Sequence, residues 1–592
     1  MVQHTPTDPV VSFVPANPLA DSDPPVPPLD HRTIVLEAGS IHHEGARPLD
    51  VDILLEQDAA VLLRDGTVLY ADVYRPVGEA AVPAIVVYTP YGKRGGWWNE
   101  HFYATRFGVP ADALSGLQAV EAPDPGYWCV YGYAVVVIDA AGTGRSGGDA
   151  VFMGSRSGRN AADAVDWVGE QAWCTGRVAM SGNSQLGMIQ WAAAAERPRH
   201  LAAIAPWEGA SDVYRDALLR GGIPDTEFND HGVTVTIYGQ GRTEDTSSAG
   251  ANLRDHPLFD DYWADKVADV SRIEVPAYVL ASWTNPLHTR GTLAAFRALD
   301  PARSWLRVHH EQEWIDFADP RRLHDLRRFL DRYLKDVDND WEATPRVRLS
   351  VLDPGGHGDV VDRAERGWPL ARARTRTLHL DAASMTLSDA VAPPAEISYP
   401  GDDLTASVRF SLVADRELEI VGSLALRLWV AAEDADDLDL FAAVYLESAA
   451  GERLHHITLR DPRAREGVRR MAVDGRLPGM LAYTGPVGRL RASHRALDAQ
   501  RSSELEPYLS HVEEQPLTPG VPVEVALGLW PTAMLVHAGE RLVVELAGHP
   551  VGPLSGDNHP GGWLEIPTRN RGAHRLLTGV GNDSVLLLPI VD

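Results

Sequence analysis

The chain has 592 residues, of which 44% are hydrophobic and 23% are charged, an ordinary composition for a globular protein of several domains. Its net charge of −28 argues against binding to nucleic acid or to an anionic membrane. Two cysteines, Cys129 and Cys174, are too few for a disulfide framework or a zinc site. We therefore expect no metal and no cofactor.

The N-terminal segment is rich in proline and lacks both the basic start and the apolar centre of a secretory signal. We interpret residues 1–48 as an extended arm that lies on another surface, or as a loose tail. No apolar run reaches the ~18 residues that a membrane span needs. Together with the low cysteine content, these features predict a cytoplasmic protein without membrane contact.

Short apolar runs alternate with helical patterns between residues 49 and 340. AIVVYTP (84–90), YAVVVIDA (133–140) and PAYVLASW (276–283) are almost continuously apolar, as strands covered on both faces are. This alternation predicts an α/β domain built from residues 49–208 and 273–340. Residues 209–272 interrupt it with a polar, partly helical stretch, which we interpret as a cap insertion.

The pattern changes after residue 340. VRLSVLD, LALRLWVAA and VEVALGLW alternate between inward and outward positions and are separated by turn residues. Residues 341–592 are therefore predicted to form an all-β domain, a sandwich or jelly roll.

Ser184 follows an apolar run and immediately precedes an alanine-rich helical pattern, in RVAMSGNSQLGMIQWAAAAERP (177–198). A serine nucleophile held at a sharp strand-to-helix turn needs small neighbours, and here Gly182 and Gly187 flank it. The free N–H groups at the start of the helix suit an oxyanion, so the backbone amide of Gln185 is a candidate donor. The alternative is a serine that only caps the helix.

Several stretches, in order, resemble the cocaine-esterase and X-Pro dipeptidyl-peptidase (S15) family of serine hydrolases. They are YTPYGKR (88–94), DAAGTGRSGG (139–148), the approach to Ser184, and LEIVGSLALRLWVAAEDADDLDLF, GRLRASHRALD and NDSVLLLPI in the β module. The resemblance implies an α/β-hydrolase core with a helical cap and a C-terminal jelly roll. It implies two-step acyl transfer through Ser184, with the Tyr91 hydroxyl as a second oxyanion donor. It also leaves a homo-oligomer open.

The chain departs from the family pattern at two positions. Asn285, in SWTNPLHTRG (282–291), stands where the family places its triad aspartate. In LRVHHEQEW (306–314), Gln312 or Glu313 stands where the family places its histidine. An amide cannot supply the negative charge that stabilises an imidazolium, although it can orient the ring.

The base and the acid of the triad must then come from other residues. We predict His309 as the base, with His310 and His288 as alternatives. Glu208, at the end of a predicted strand, is predicted as the acid, with Asp212 as the alternative; pairing with Arg215 or helix capping is the structural explanation for such an acid. If Glu208 is the acid, Glu208→Gln cuts turnover by orders of magnitude.

The substrate is predicted to be a small ester or amide. Residues that end predicted strands or follow them are candidates for its pocket, with core packing as an equally good explanation of the tryptophans: Trp207, Trp283, Asn285, His288, His310 and Trp314. Acidic residues of the cap could bind a substrate amine, namely Asp212, Asp216, Asp225, Glu227 and Asp230. The substituted triad positions favour an alternative function, a relative repurposed as an acyltransferase or a ligand-binding protein.

Overall fold

The structure is a computed structural model. It describes residues 9–22, 25–78, 80–94, 108–225, 237–247, 249–285, 287–473, 481–551 and 567–591.

The first two-thirds of the chain supply the strands of a large mixed sheet and of one small hairpin-like pair. In chain order they are β1 (Phe13–Pro15), β2 (Arg32–Leu36), β3 (Ile53–Leu62), β4 (Val68–Pro76), β5 (Val82–Thr89), β6 (Ala134–Asp139), β7 (Cys174–Asn183), β8 (Leu201–Trp207), β9 (Arg242–Glu244), β10 (Ala277–Ser282), β11 (Ser304–His309), β12 (Val347–Val351) and β13 (Val360–Glu365).

The large sheet has the strand order β13-β12-β11-β10-β8-β7-β5-β6-β4-β3-β2. Neighbours from β12 to β6 run parallel, whereas β4, β3, β2 and β13 add antiparallel edges. Every residue of β6, β10 and β11 is buried, which explains their continuous apolar runs, because helices cover both faces of a parallel sheet.

The helices of the described chain are mostly short. They are α1 (Pro125–Trp128), α2 (Ser155–Gly169), α3 (Gln185–Ala195), α4 (Ala251–Asp255), α5 (Asp261–Asp265), α6 (Thr289–Ala298), α7 (Glu313–Ala318), α8 (Pro320–Lys335) and α9 (Pro462–Val473). Helix α3 is buried almost all round, so the alanine-rich sequence lets it pack tightly against β7, β8 and α2.

The remaining strands form the C-terminal all-β domain. They are β14 (Ala373–Asp381), β15 (Thr386–Ser388), β16 (Ala395–Pro400), β17 (Ser407–Val413), β18 (Leu418–Ala432), β19 (Asp439–Glu447), β20 (His456–Ile457), β21 (Ala482–Tyr483), β22 (Val487–Arg491), β23 (Val523–Val536), β24 (Arg541–Ala547), β25 (Ala573–Thr578) and β26 (Val585–Val591). The main path is β16-β25-β18-β26-β14-β15-β17-β24-β19-β22, and β23 pairs with β18.

Two domain boundaries differ from the sequence prediction. Strand β2, placed in the arm, pairs with β3 and forms one edge of the large sheet. Strands β12 and β13, placed in the all-β domain, extend the other edge of that sheet. An edge strand needs only one partner and can be half exposed, so the alternating patterns of β2 and β13 do not distinguish it from a strand of a β-sandwich.

The cap is held by the N-terminal arm. Strand β1 pairs antiparallel with β9 of the cap, and Ser12 exchanges hydrogen bonds with the Asn252 side chain. A π-helix, Val213–Leu218, starts the cap just after β8. Since β8 neighbours β7 in the sheet, the cap starts beside the end of the strand that leads to Ser184.

Candidate active site

Ser184 lies at a sharp turn between β7, which ends at Asn183, and α3, which begins at Gln185. Its backbone has φ 54° and ψ −120°, a conformation that costs energy for any residue with a Cβ. The N–H of Ser184 donates to the carbonyl of Trp207 on neighbouring β8 at 3.0 Å. The sheet therefore holds a strained residue with its half-buried hydroxyl at the C-terminal edge.

The glycines on either side of Ser184 are required by space. A Cβ on Gly182 would lie 2.6 Å from the Leu186 Cβ, and one on Gly187 would lie 2.6 Å from the Trp207 carbonyl oxygen. Both distances are below any normal contact between non-bonded atoms. The glycine spacing seen in the sequence thus reflects a crowded elbow.

His288 contacts the serine hydroxyl. Its Nε2 lies 3.0 Å from Ser184 Oγ, and the ring is 5% exposed. The loop that presents it is fixed by Asn285, whose Oδ1 accepts the backbone N–H groups of Leu287 and His288 at 2.9 and 3.1 Å. Asn285 therefore positions the histidine without touching its ring nitrogens.

The hydrogen bonds of His288 define its resting tautomer. The backbone N–H of Ala210 donates to Nδ1 at 3.3 Å, so the neutral ring carries its proton on Nε2, toward Ser184. Burial alone lowers the pKa of His288 to about 3. No described carboxylate hydrogen-bonds the ring, in contrast to a conventional Ser-His-Asp triad.

The predicted base, His309, occupies a different place. It ends β11 with its ring fully buried, and its Nε2 lies 2.8 Å from Glu208 Oε1. The two residues predicted as base and acid therefore do meet, but the described hydrogen bond of the Ser184 hydroxyl goes to His288. Burial lowers the pKa of His309 to about 4 and raises that of Glu208 to about 7, so at pH 7 the imidazole is neutral and the carboxyl group is about half ionised.

Three buried carboxyl groups, Glu121, Glu208 and Glu313, lie together beside the elbow. Burial raises the pKa of both Glu208 and Glu313. The hydrogen bond between them offsets part of this rise for Glu208 and adds to it for Glu313, so Glu313 is the residue that holds the proton. Asn183 hydrogen-bonds both Glu121 and Glu313. Burial and mutual repulsion hold the pKa of Glu121 and of Glu313 well above the ordinary value.

Sequence reasoning missed Asn183 and Glu121. Asn183 adjoins the nucleophile, which is a local signal, but no pattern marks Glu121 in its irregular segment.

The two predicted oxyanion donors come from different elements of the fold. Gln185 is the first residue of α3, where backbone N–H groups have no partner within the helix. Tyr91 follows β5, and its hydroxyl is hydrogen-bonded to Glu121. This contact lowers the pKa of Glu121, so the Tyr91 hydroxyl is the donor and the Glu121 carboxyl group the acceptor.

The predicted pocket tryptophans belong to the core. Trp207 and Trp283 are 0% and 2% exposed, and the Trp283 Nε1 donates to the Ser350 carbonyl at 2.6 Å. Trp314 packs in a small apolar cluster that includes Ile457. Core packing, the alternative explanation, accounts for all three.

His310, predicted as an alternative base and a pocket residue, contacts Ser350 and His456. Its Nδ1 lies 3.2 Å from Ser350 Oγ, and its carbonyl oxygen accepts from His456 Nε2 at 2.7 Å.

The acidic residues of the cap are mostly paired with arginines. Asp212 bonds Arg215 at 2.9 Å and caps the π-helix, as the structural explanation predicts, and Asp216 pairs with Arg290 at 3.1 Å. Glu227 and Asp230 lie outside the described residues. The amine-binding role predicted for these acids gains no support from the paired ones.

Within the described residues, no group of three or more histidine, cysteine or acidic side chains has metal-site geometry. Among the described helices, none combines the length and apolarity that crossing a membrane requires.

A mixed sheet carrying a strained serine elbow, a cap insertion and a C-terminal all-β domain defines an α/β hydrolase. Family models agree with both halves: residues 65–312 match the X-Pro dipeptidyl-peptidase (S15) model, and residues 339–587 match the model of its C-terminal non-catalytic domain. The chain belongs to the CocE/S15 family of hydrolases.

Individual relatives support this assignment. A CocE/NonD family hydrolase from Staphylococcus aureus has 30% sequence identity and a TM-score of 0.82, over 91% of this chain and 94% of its own. Cocaine esterase from Rhodococcus sp. (strain MB1 Bresler) is 34% identical over 167 residues, 28% of this chain and 26% of the esterase. A putative serine esterase from Mycobacterium bovis is 32% identical over 27% of its length and 29% of this chain. The chain thus matches about a quarter of these curated relatives' length.

An α-amino-acid ester hydrolase, with a TM-score of 0.67 and 17% identity over 91% of this chain and 97% of its own, shows the same fold.

Proposed function

We propose that this protein is a serine hydrolase that cleaves an ester or amide bond through an acyl-enzyme on Ser184. The observation that carries the proposal is the 3.0 Å contact between His288 Nε2 and the hydroxyl of a serine held at a strained elbow. Membership of a hydrolase family and the similarity to serine esterases support it.

His288 acts as the general base in this proposal. Nε2 can take the serine proton only when the ring holds its own proton on Nδ1, and that tautomer gives up the Ala210 contact at a cost on the order of 1 kcal/mol. Ser184 Oγ then attacks the substrate carbonyl, and the imidazolium returns the proton to the leaving group. Water repeats the sequence and releases the acid.

The negative oxygen of the intermediate is proposed to be held by the backbone N–H of Gln185 and the hydroxyl of Tyr91. The start of α3 adds the favourable end of the helix dipole. In the resting protein the Tyr91 hydroxyl donates to Glu121, and in this proposal it turns to the oxyanion when substrate is bound.

A fluorophosphonate probe, together with hydrolysis of 4-nitrophenyl acetate, tests the proposal. We expect the wild type to be labelled and active, and Ser184→Ala to lose both properties. Ser181→Ala is the matched control, because Ser181 is a buried serine of β7, the strand that leads to Ser184, and its Oγ has no hydrogen-bond partner among the described residues. Labelling that persists in Ser184→Ala contradicts the assignment.

A second candidate is a ligand-binding or acyl-transfer relative that does not hydrolyse its ligand. It is favoured by the resting tautomer, in which His288 donates to Ser184, and by the lack of a described carboxylate on that ring. A wild-type protein that binds ligand but is not labelled by the probe would support the ligand-binding function. Transfer of an acyl group to an added alcohol would support the acyltransferase function.

A further inference from the structure

A cavity of about 270 Å³ lies between the cap, helix α6 and the all-β domain. Leu293 of α6 and Phe441 of β19 are among its apolar walls. A cavity of about 150 Å³ is large enough to bind benzene, so this one has room for a substituted aromatic ring. Neither Ser184 nor His288 lines the cavity in the described part of the chain, so it is distinct from the candidate active site.

One side chain of the lining, His511, has a nitrogen without a partner. The residue is 1% exposed, and its Nε2 has no hydrogen-bond partner among the described residues. Its Nδ1 lies 3.0 Å from the Nδ1 of His494, which does not line the cavity, so the ring edge that carries Nε2 is the one available to the cavity. A buried polar atom without a partner is costly, and a ligand that pairs with it removes that cost.

The contacts behind His511 determine which of its nitrogens holds the proton. His494 Nε2 lies 3.5 Å from Oε1 of Glu514, and the Arg569 guanidinium lowers the pKa of that carboxyl group. Burial lowers the pKa of both histidines, so at pH 7 the rings are neutral and the carboxylate is charged. A carboxylate only accepts, so His494 carries its proton on Nε2 and accepts at Nδ1. His511 therefore donates through Nδ1, which leaves its Nε2 as an acceptor.

Arg489, on the same lining, has a donor without a partner. Its side chain is 9% exposed, and although its Nη2 reaches Asp225 at 2.8 Å, its Nε has no hydrogen-bond partner among the described residues. The cavity thus offers one acceptor and one donor within apolar walls. A hydroxyl group can both donate and accept, whereas a carboxylate only accepts and would leave His511 unpaired.

The loop that carries His511 is held in place by the cap. Nε and Nη2 of Arg215 donate to the carbonyl oxygens of Leu509 and Ser510, each at 3.0 Å. The backbone N–H of Phe259 donates to the His511 carbonyl oxygen at 2.8 Å. These contacts come from the cap insertion, so the acceptor is positioned before a ligand arrives and binding needs little further ordering.

We propose that this cavity binds an uncharged alcohol or phenol, an apolar body whose hydroxyl group donates to His511 Nε2. Arg489 Nε is the donor to the hydroxyl oxygen, and the apolar walls contact the body of the ligand. The inference does not rest on the proposed function, because the residues that carry it are not those proposed for catalysis.

Binding is tested by titrating the wild-type protein with benzyl alcohol and with anisole, followed by ligand-observed NMR. The two compounds are isomers that each contain one aromatic ring, but only benzyl alcohol can donate a hydrogen bond. We expect benzyl alcohol to bind about tenfold more tightly. Equal affinities for the two isomers would overturn the proposal. Benzoate that binds more tightly than benzyl alcohol would also overturn it, because it would identify an anion site.

Replacement of His511 tests the acceptor. We expect His511→Phe to lose the preference for benzyl alcohol, and His511→Gln, whose amide oxygen can accept, to retain part of it. His574→Phe is the matched control, because His574 is also 1% exposed with an Nε2 that has no described partner, but it lies outside the cavity. A folded His511→Phe protein that keeps the wild-type preference would contradict the role of His511.

Two further variants test the location of the site, whether or not His511→Phe folds. Ala294 of α6 lines the cavity, so Ala294→Phe should fill it and abolish binding of both isomers. Ser184→Ala should bind both as the wild type does, because Ser184 does not line the cavity. Unchanged binding by Ala294→Phe, or lost binding by Ser184→Ala, would place the ligands elsewhere and overturn the proposal.

Discussion

The Asn285 Nδ2 donates to Glu313 Oε2 at 2.5 Å. Asn285 stands where the family pattern has its aspartate, and Glu313 is one of the two residues, with Gln312, that stand where the family has its histidine. The pair thus contains no imidazole, and burial together with the charge of Glu208 holds the pKa of its carboxyl group well above the ordinary value. Since Glu313 also donates to Glu208, its protonated form is the one that satisfies both neighbours. We infer that this pair supports the site rather than moving the serine proton.

The Glu313 side chain tests this inference, because a group that is already protonated can be replaced by an amide. We expect Glu313→Gln to keep kcat within a few-fold of wild type. Glu313→Ala should lower the free energy of unfolding by about 1–3 kcal/mol, since it leaves Asn285 and Glu208 without a buried partner. Denaturant titration and ester hydrolysis measure the two effects. A loss of several orders of magnitude in kcat for Glu313→Gln would make Glu313 a proton-transfer residue.

The fold could largely be predicted from the sequence because its signals are local. Continuous apolar runs marked the buried strands β5, β6 and β10, and the spacing of Gly182, Ser184 and Gly187 marked the elbow. The edges of the sheet could not be predicted in the same way. Strand β12 has the sequence of a sandwich strand, and only its pairing with β11 assigns it to the first domain.

The histidine partner of Ser184 could not be selected from the sequence, for a different reason. His288, His309 and His310 all follow predicted strands, and their approach to Ser184 depends on how two loops close in space. Asn285 accepts two backbone N–H groups of the loop that carries His288, and this fixes the loop with the His288 ring toward the serine. His309 instead contacts Glu208 in the core. These are long-range contacts that one sequence does not encode in a readable pattern.

Replacement of single histidines should separate the two rings. His288→Ala removes the partner of Ser184, and we expect kcat/KM to fall by about 10²–10⁴-fold. His309→Gln should change kcat/KM by only a few-fold. Both values come from ester hydrolysis by proteins whose folding is verified by circular dichroism. The opposite ranking would restore His309 as the base.

The neutral state of His288 predicts an unusual pH dependence. A base works in its unprotonated form, and burial lowers the pKa of His288 from 6.5 to about 3. The acid limb of kcat/KM should therefore lie below pH 5, where a histidine with the ordinary pKa would be only about 3% neutral. Rates measured from pH 4.5 to 8 with a neutral ester test this. An acid limb near pH 6.5 would mean that His288 has an ordinary pKa in the working enzyme, which contradicts this prediction.

Tyr91 and Glu121 offer a test of the oxyanion site. Tyr91→Phe removes the proposed donor, and we expect kcat to fall about 10²–10³-fold with little change in stability. Glu121→Gln should keep kcat within a few-fold, because an amide oxygen can accept the Tyr91 hydroxyl in place of the carboxyl group. If Glu121→Gln loses as much activity as Tyr91→Phe, the carboxyl group has a role of its own in the reaction.

Glu208 links the buried cluster to stability. Its pKa is raised from 4.5 to about 7 in the folded chain, so the folded state binds a proton that the unfolded state releases above pH 4.5. The stabilisation from this group is complete below pH 4.5 and is lost as the pH rises toward and through 7. Glu208→Gln, which does not titrate, should therefore make the unfolding free energy less dependent on pH between 4.5 and 7, as measured by urea titration at each pH.

The same variant should hydrolyse esters at nearly the wild-type rate, because Glu208 contacts His309 and not His288. A drop of several orders of magnitude in turnover would reinstate Glu208 as the catalytic acid, whatever its effect on stability.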